Sequence, residues 1–164
     1  MSRTQYVVVL AVVGAIWIAP HVQAKGDGPA SVDAAWAKAM KANSLDEAMA
    51  CYAGDAVAWF PNEAEAKGQK AVREAYEHLL KDFTIKDAGI SDMQYKTFGK
   101  NAVGWGKWSL TVVEKSTGKT QEWKGRATTV LEKRDGRWVY LVDHASEEPK
   151  PREAAPAPPE APKP

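Results

Sequence analysis

The chain has 164 residues, 45% of them hydrophobic, and sets 22 Lys and Arg against 21 Asp and Glu. That length is about one domain, and interspersed charges of both signs offer no clustered basic track, which argues against a nucleic-acid partner. The single cysteine, Cys51, has no internal disulfide partner, so the fold must rest on its core.

Residues 1–24 have the layout of a secretory signal: Arg3 in a short n-region, an apolar run from Tyr6 to Ala19, then Pro20 and the exit site Val22-Gln23-Ala24. Cleavage after Ala24 and a secreted or periplasmic location are expected. An uncleaved anchor is the other reading, but the apolar run is shorter than the roughly 20 residues a spanning helix needs. Arg3 is the only charged residue of the leader, so the mature chain carries 21 basic and 21 acidic side chains. No stable membrane insertion is expected once the leader is gone. Residues 25–30 read as a flexible entry.

The domain expected over residues 31–146 begins helically. Val32, Ala35, Trp36, Ala39 and Met40 recur on one face behind Ser31 as a candidate cap. Ser44 to Glu47 spells a capping box, and Leu45, Ala48, Met49 and Tyr52 continue the helical period, with Gly54-Asp55 punctuating the end. Cys51 within this pattern reads as a small buried hydrophobe, an intermolecular bridge or reactive thiol being the other reading. Val57 to Phe60 reads as a short strand stopped by Pro61. A third helix follows Gly68, with Val72, Ala75, Tyr76, Leu79, Leu80 and Phe83 along one stripe.

After Phe83 the period changes to two. Residues 85–98, 102–113, 120–133 and 138–146 read as long strands of an antiparallel meander, joined by turns at Gly99-Lys100-Asn101, Ser116 to Lys119 and Asp135-Gly136. Helices in front and strands behind imply an α+β fold with the helices on one sheet face. In the last strand Val139 and Leu141 point one way and Trp138, Tyr140 and Val142 the other. Both faces then need cover, and a second copy of the chain is the natural candidate, so a homodimer through the outer face is expected. Residues 147–164 hold seven of the ten prolines and no large apolar side chain, the composition of an extended, disordered tail.

The element order, together with ANSLDEAMACYAGDAVAWFP, KGQKAVREAYEHLL and DGRWVYLVDHAS, resembles the nuclear transport factor two-like superfamily over roughly Ser31 to Ser146. Within it the look is that of the ketosteroid isomerase-like and SnoaL-like polyketide cyclase group, including its secreted members of unknown function. The resemblance implies three helices on a strongly curved, cone-shaped antiparallel sheet, a cystatin-like roll with an internal, mostly apolar pocket. It also implies dimerisation through the outer sheet face. Where the steroid isomerases carry an aspartate base and a tyrosine, this chain has Phe60 and Trp36. A phenyl ring moves no proton and indole only donates a hydrogen bond. The isomerases' third site residue, a protonated acid, falls near Thr128 or Thr129. Steroid isomerisation by that mechanism is therefore not expected.

Asp143 and His144 are the polar pair inside an otherwise apolar strand, and neighbours in a strand face opposite ways. In the kinase association domains sharing this fold, the strand ends in a histidine-rich H-x-H-x-S pattern that DHAS partly resembles; their pocket lies on the face corresponding to Asp143, which turns His144 toward the interface. Two readings of Asp143 stand side by side: a buried acceptor that ties down a neighbour, and a pocket base with a raised pKa. His144 reads as a satisfied structural histidine. Trp36, Tyr52, Trp59, Phe60 and Tyr76 form a candidate aromatic box for a planar or hydrophobic ligand, or are simply core. Gly104 and Gly106 either open pocket volume beside Trp108 or let a bent strand pass beneath a ring.

No His, Cys or carboxylate set has metal-ligand spacing, and neither a nucleophile elbow nor a phosphate-cradling glycine loop is present, so no metal or cofactor is expected. Three functions follow as expectations. The first is a pocket protein binding a small, mainly apolar or aromatic molecule through Trp36, Tyr52, Trp59, Phe60, Tyr76 and Asp143. The second is an isomerase, dehydratase or cyclase with Asp143 as catalytic base and Tyr52 or Tyr76 as proton donor. The third is a dimerisation scaffold with a filled cone.

Overall fold

The computed structural model describes residues 28–149. The expected leader 1–24, half of the entry segment and the tail from residue 150 onward lie outside the described residues. The elements are α1 (Ala30–Lys41), α2 (Leu45–Met49), β1 (Tyr52–Trp59), β2 (Ala66–Lys67), α3 (Gly68–Asp82), β3 (Phe83–Phe98), β4 (Asn101–Glu114), β5 (Thr120–Arg134) and β6 (Arg137–Glu147).

Local chemistry sets the helix ends. The Ser44 hydroxyl accepts the Glu47 backbone N–H at 3.4 Å and caps α2. Ser31 is not the cap of α1: the helix starts at Ala30, behind Pro29, and the Ser31 hydroxyl donates to the Gly28 carbonyl at 2.7 Å. Tyr52 does not continue α2 either. Tyr140 N–H donates to the Cys51 carbonyl at 2.8 Å, and Tyr52 lies beside Tyr140 in a strand pair. Pairing with a strand nearly ninety positions later in sequence overrides the local helical period. Gly54 and Asp55 accordingly sit inside β1, where the register breaks between Tyr52 and Val57.

The six strands form one sheet in the order β2-β1-β6-β5-β4-β3, curled but unclosed, with β2 and β3 at its edges. The β3 to β6 run is the expected antiparallel meander. The β1–β6 pair departs from the expected antiparallel sheet by running parallel. Asp135 and Gly136, both at positive φ, make the tight turn into β6. α1 packs on β3 and β6, and α3 on β1. Met40, Val72, Ile85, Val112 and Leu131 are the largest wholly buried side chains of the core between these layers.

Register sorts the strands into two rows. On the inner face Ala58, Asp143, Thr129, Gly104 and Tyr95 follow one another across β1, β6, β5, β4 and β3. One position along, on the outer face, run Trp59, His144, Thr128 and Trp105. β6 does not alternate regularly between them. Val130 faces Val142 while Leu131 faces Tyr140, so Leu141 is an extra residue with no partner on β5. This bulge resets the phase. Tyr140 and Asp143 face inward together, and Val142 faces out, not inward with Tyr140 as strict alternation predicts.

The glycines of β4 serve close packing. A Cβ on Gly104 would lie 2.8 Å from Thr129 Oγ1 and 3.0 Å from the Tyr95 ring, and one on Gly106 would lie 2.4 Å from Met93 Sδ. Strand β3 therefore bends over β4 where side chains are missing, which is the second of the two expected uses.

Candidate functional site

The layers leave a cavity of about 540 Å³ between α1, α3 and the concave face of the sheet. Trp36 from α1, Tyr76 from α3 and Phe60 just after β1 wall it on the helical side. Thr129, Tyr140, Asp143 and Ala145 form the sheet side. Phe60 and Tyr76 meet edge to face with centroids 5.2 Å apart. Phe83 and Trp123 stack in the same manner at 4.8 Å.

One hydrogen-bonded chain joins the aromatic residues to the acid. Trp36 Nε1 donates to the Tyr76 hydroxyl at 2.7 Å, Tyr76 and Tyr52 hydroxyls are 2.8 Å apart, and Tyr52 donates to Asp143 Oδ2 at 2.6 Å. Indole only donates, and the Tyr52 proton is committed to Asp143. The middle bond therefore runs from Tyr76 to Tyr52, and all three point toward the carboxylate. Burial pushes the Asp143 carboxyl up to about 6, against the Tyr52 hydrogen bond that lowers it. Burial, and then the neighbouring Asp143 charge, push both Tyr52 and Tyr76 phenols well up, so neither ionises near neutrality.

A second acid sits beside the first cluster. Asp33 accepts hydrogen bonds from Tyr140 at 2.5 Å and from Tyr95, and burial raises its carboxyl against these two bonds. Sequence reading missed Asp33, Tyr95 and Tyr140 as a group. The available signal was Asp33 itself, an acid on the same α1 stripe as Trp36 and Met40, three and seven positions on.

Of the candidate residues, Trp36, Phe60, Tyr76 and Asp143 are brought together around the cavity. Tyr52 stands behind them, buried, and reaches the site through its hydroxyl. Trp59 does not belong to the box. It lies on the outer face, 39% exposed, edge-on to His144 at 6.2 Å, because it follows the inward-facing Ala58 by one strand position. His144 is exposed and Asp143 faces the cavity. Thr129, one of the two positions matching the isomerases' acid, lines the cavity, and Thr128 points out. Burial pushes the Cys51 thiol up to about 12, so it is a poor thiolate source.

Two buried side-chain polar atoms among the described residues lack a hydrogen-bond partner, Thr129 Oγ1 and Trp138 Nε1. Only Thr129 lines the cavity. Among the described residues no group of three His, Cys, Asp or Glu side chains is placed to hold a metal ion, and no helix is long and apolar enough to cross a membrane.

A curled sheet over helices with an internal polar-floored cavity is the architecture of the nuclear transport factor 2-like proteins. The chain belongs to the SnoaL-like domain family, whose pattern it matches over residues 32–141. No curated protein matches it. Among solved structures it is similar to a Xanthomonas campestris protein provisionally described as a calcium/calmodulin-dependent protein kinase II association domain, with TM-score 0.65 and 23% identity over 74% of this chain and 86% of that one. A ketosteroid isomerase-like protein from Erwinia carotovora gives TM-score 0.65 at 18% identity, over 74% and 95%. A nuclear transport factor 2-like superfamily protein from Salmonella enterica gives 0.63 at 16%, over 73% and 88%. At these identities the likeness is one of fold.

Proposed function

We propose that the mature chain, exported by its leader, is a pocket protein that takes a small, mainly apolar or aromatic molecule into the cavity, and that it works as a homodimer joined through the outer sheet face. The observation carrying the reading is the cavity itself: about 540 Å³, walled by aromatic rings, with two inward carboxyls, Asp143 and Asp33, in its lining. That volume is in the range of small-molecule sites. A filled-cone scaffold would have no such space. The outer row of Trp59 and Trp105, 39% and 42% exposed, supports the dimer, since large exposed aromatics in one row favour a partner.

The test is calorimetric titration of the full processed chain with 2-naphthylmethanol, with the Trp36 indole N–H followed by NMR. Binding that shifts this resonance and is lost when the cavity is filled by Ala127→Phe supports the reading. A folded protein that binds neither 2-naphthylmethanol nor its amine counterpart, 2-naphthylmethylamine, and shifts the resonance with neither, overturns it.

A second reading, an enzyme with Asp143 as general base, is favoured by one observation. Tyr52 alone among the described residues hydrogen-bonds the carboxylate, on Oδ2, and the group is tuned to about 6. Once a turned-over substrate is found, Asp143→Asn should cost it about 10²-fold or more in rate.

A further inference from the structure

The side chains lining the inner cavity have unequal hydrogen-bonding capacity. Each tryptophan and tyrosine donor is already engaged by the protein: Trp36 by Tyr76, Tyr76 by Tyr52, Tyr140 by Asp33, Trp108 by the Ser146 carbonyl at 3.3 Å and Trp123 by Gln121 at 3.1 Å. Acceptors are left over. Asp143 uses one oxygen for Tyr52, and no described residue donates to the other. Thr129, 3% exposed, is the partner of Asp143 across the β5–β6 ladder, and its hydroxyl, which leans toward Gly104 of β4, has no hydrogen-bond partner among the described residues. A buried hydroxyl without a partner is unfavourable unless something fills the role.

Such a lining suits a ligand that brings donors. An anion would find no free N–H among these aromatic groups and would face a carboxylate instead. Charge at the mouth has the same sign. Glu63, Asp82, Glu122, Glu147 and Glu148 border the opening against the imidazole of His78 and one lysine, Lys124, whose ammonium is held by Glu122 at 2.8 Å. An acidic rim over low-dielectric walls raises the local concentration of cations.

Resting on the pocket reading above, we propose that the natural ligand is a protonated amine on an aromatic or apolar body. It enters ammonium end first, donating to Asp143 and to the Thr129 hydroxyl, with the Phe60, Tyr76 and Trp36 rings around the cation and its body. An ammonium has three donors and no acceptor, which complements this surplus, and aromatic faces attract it further. Trp36, by donating into Tyr76, keeps the tyrosine chain pointed at Asp143 and so leaves the tyrosines unable to donate to the ligand.

Three probes of one shape test the assignment at about pH 7.5, where the amine is protonated: 2-naphthylmethylamine, 2-naphthylmethanol and 2-naphthoate, each titrated calorimetrically into the full processed chain. The amine is expected to bind about tenfold or more tighter than the alcohol, with the carboxylate weakest. Asp143→Asn should bring amine and alcohol within about threefold of each other. Thr129→Val, which keeps shape and removes the hydroxyl, should cost the amine more than the alcohol and keeps the test alive if the first variant does not fold. Alcohol or carboxylate binding as tightly as the amine overturns the cationic assignment and leaves the pocket reading standing. An amine preference unchanged in both variants also overturns it. Failure of all three probes to bind overturns both.

Discussion

Thr129 and Asp143 face each other directly across the β5–β6 ladder on the concave side of the sheet, one hydroxyl without a partner and one carboxylate with a single donor. Neither arrangement favours the empty protein. Removing the hydroxyl by Thr129→Val takes away an unsatisfied group while preserving shape, so stability should be unchanged or rise by about 1 kcal/mol. A fall of that size in urea unfolding would mean the hydroxyl is satisfied in the free protein.

Asp143 carries a pH signature of definite sign. Its carboxyl is raised to about 6 in the folded chain, against about 3.9 when unfolded. The folded state therefore holds the proton over that window, and stability falls as pH rises through it. Asp33 is raised as well and adds a slope of the same sign, so the comparison must be between variants. Asp143→Asn should match the parent near pH 4 and exceed it by roughly 1–3 kcal/mol at pH 8. Urea midpoints at the two pH values measure the difference, and equal slopes for both proteins would remove the buried-acid account.

Amine binding should run the other way. Asp143 is surrounded by Tyr52 on β1, Tyr76 on α3, Asp33 on α1 and its neighbours Tyr140 and His144 on β6, and only its ionised form attracts a cation. Affinity for 2-naphthylmethylamine should then drop by up to about tenfold per unit below about pH 6, while that for 2-naphthylmethanol stays flat. Parallel curves for the two probes would place the titrating group elsewhere.

Gly125 predicts a large packing defect. A Cβ there would lie 1.9 Å from the Ser146 carbonyl oxygen and 2.6 Å from Trp108 Nε1. Backbone cannot yield as a flexible side-chain end can, so Gly125→Ala should cost about 3 kcal/mol or more. It should also loosen the Trp108 ring, which near-ultraviolet circular dichroism would detect.

The outer row predicts its own phenotype. A charge at Trp59 or Trp105, as in Trp59→Asp or Trp105→Asp, should convert a dimer to a monomer in sedimentation velocity with the fold intact. A parent chain that sediments as a monomer at high concentration would dispose of the dimer.

The sequence made α3 and the four long strands legible because each carries its own period over more than ten residues, from Val72 to Leu80 and then from Ile85 onward. It revealed less where a distant partner decides. Tyr52 fits the α2 period, yet it pairs with Tyr140, and no local signal marks that choice. Trp59 looked like a wall of the pocket because it is large and stands beside Phe60; only the inward placement of Ala58 turns it out. The inward direction of Asp143 was readable from the family resemblance, with Tyr52 and Tyr76 named beside it, but the presence of Tyr140 was not. Tyr140 shares its face only because Leu141 is unpaired.

That single unpaired residue divides β6 into two halves of opposite parity. Upstream of Leu141 the even-numbered positions, Trp138 and Tyr140, look inside; downstream the odd-numbered Asp143, Ala145 and Glu147 do. A saturation scan downstream of that seam should therefore tolerate charged side chains at the even-numbered Val142 and His144 and resist them at Ala145, while upstream Val139 and Tyr140 are both buried and should resist them alike. Straightening the strand would hand the interior to Val142 and His144, giving an imidazole where the carboxylate now stands.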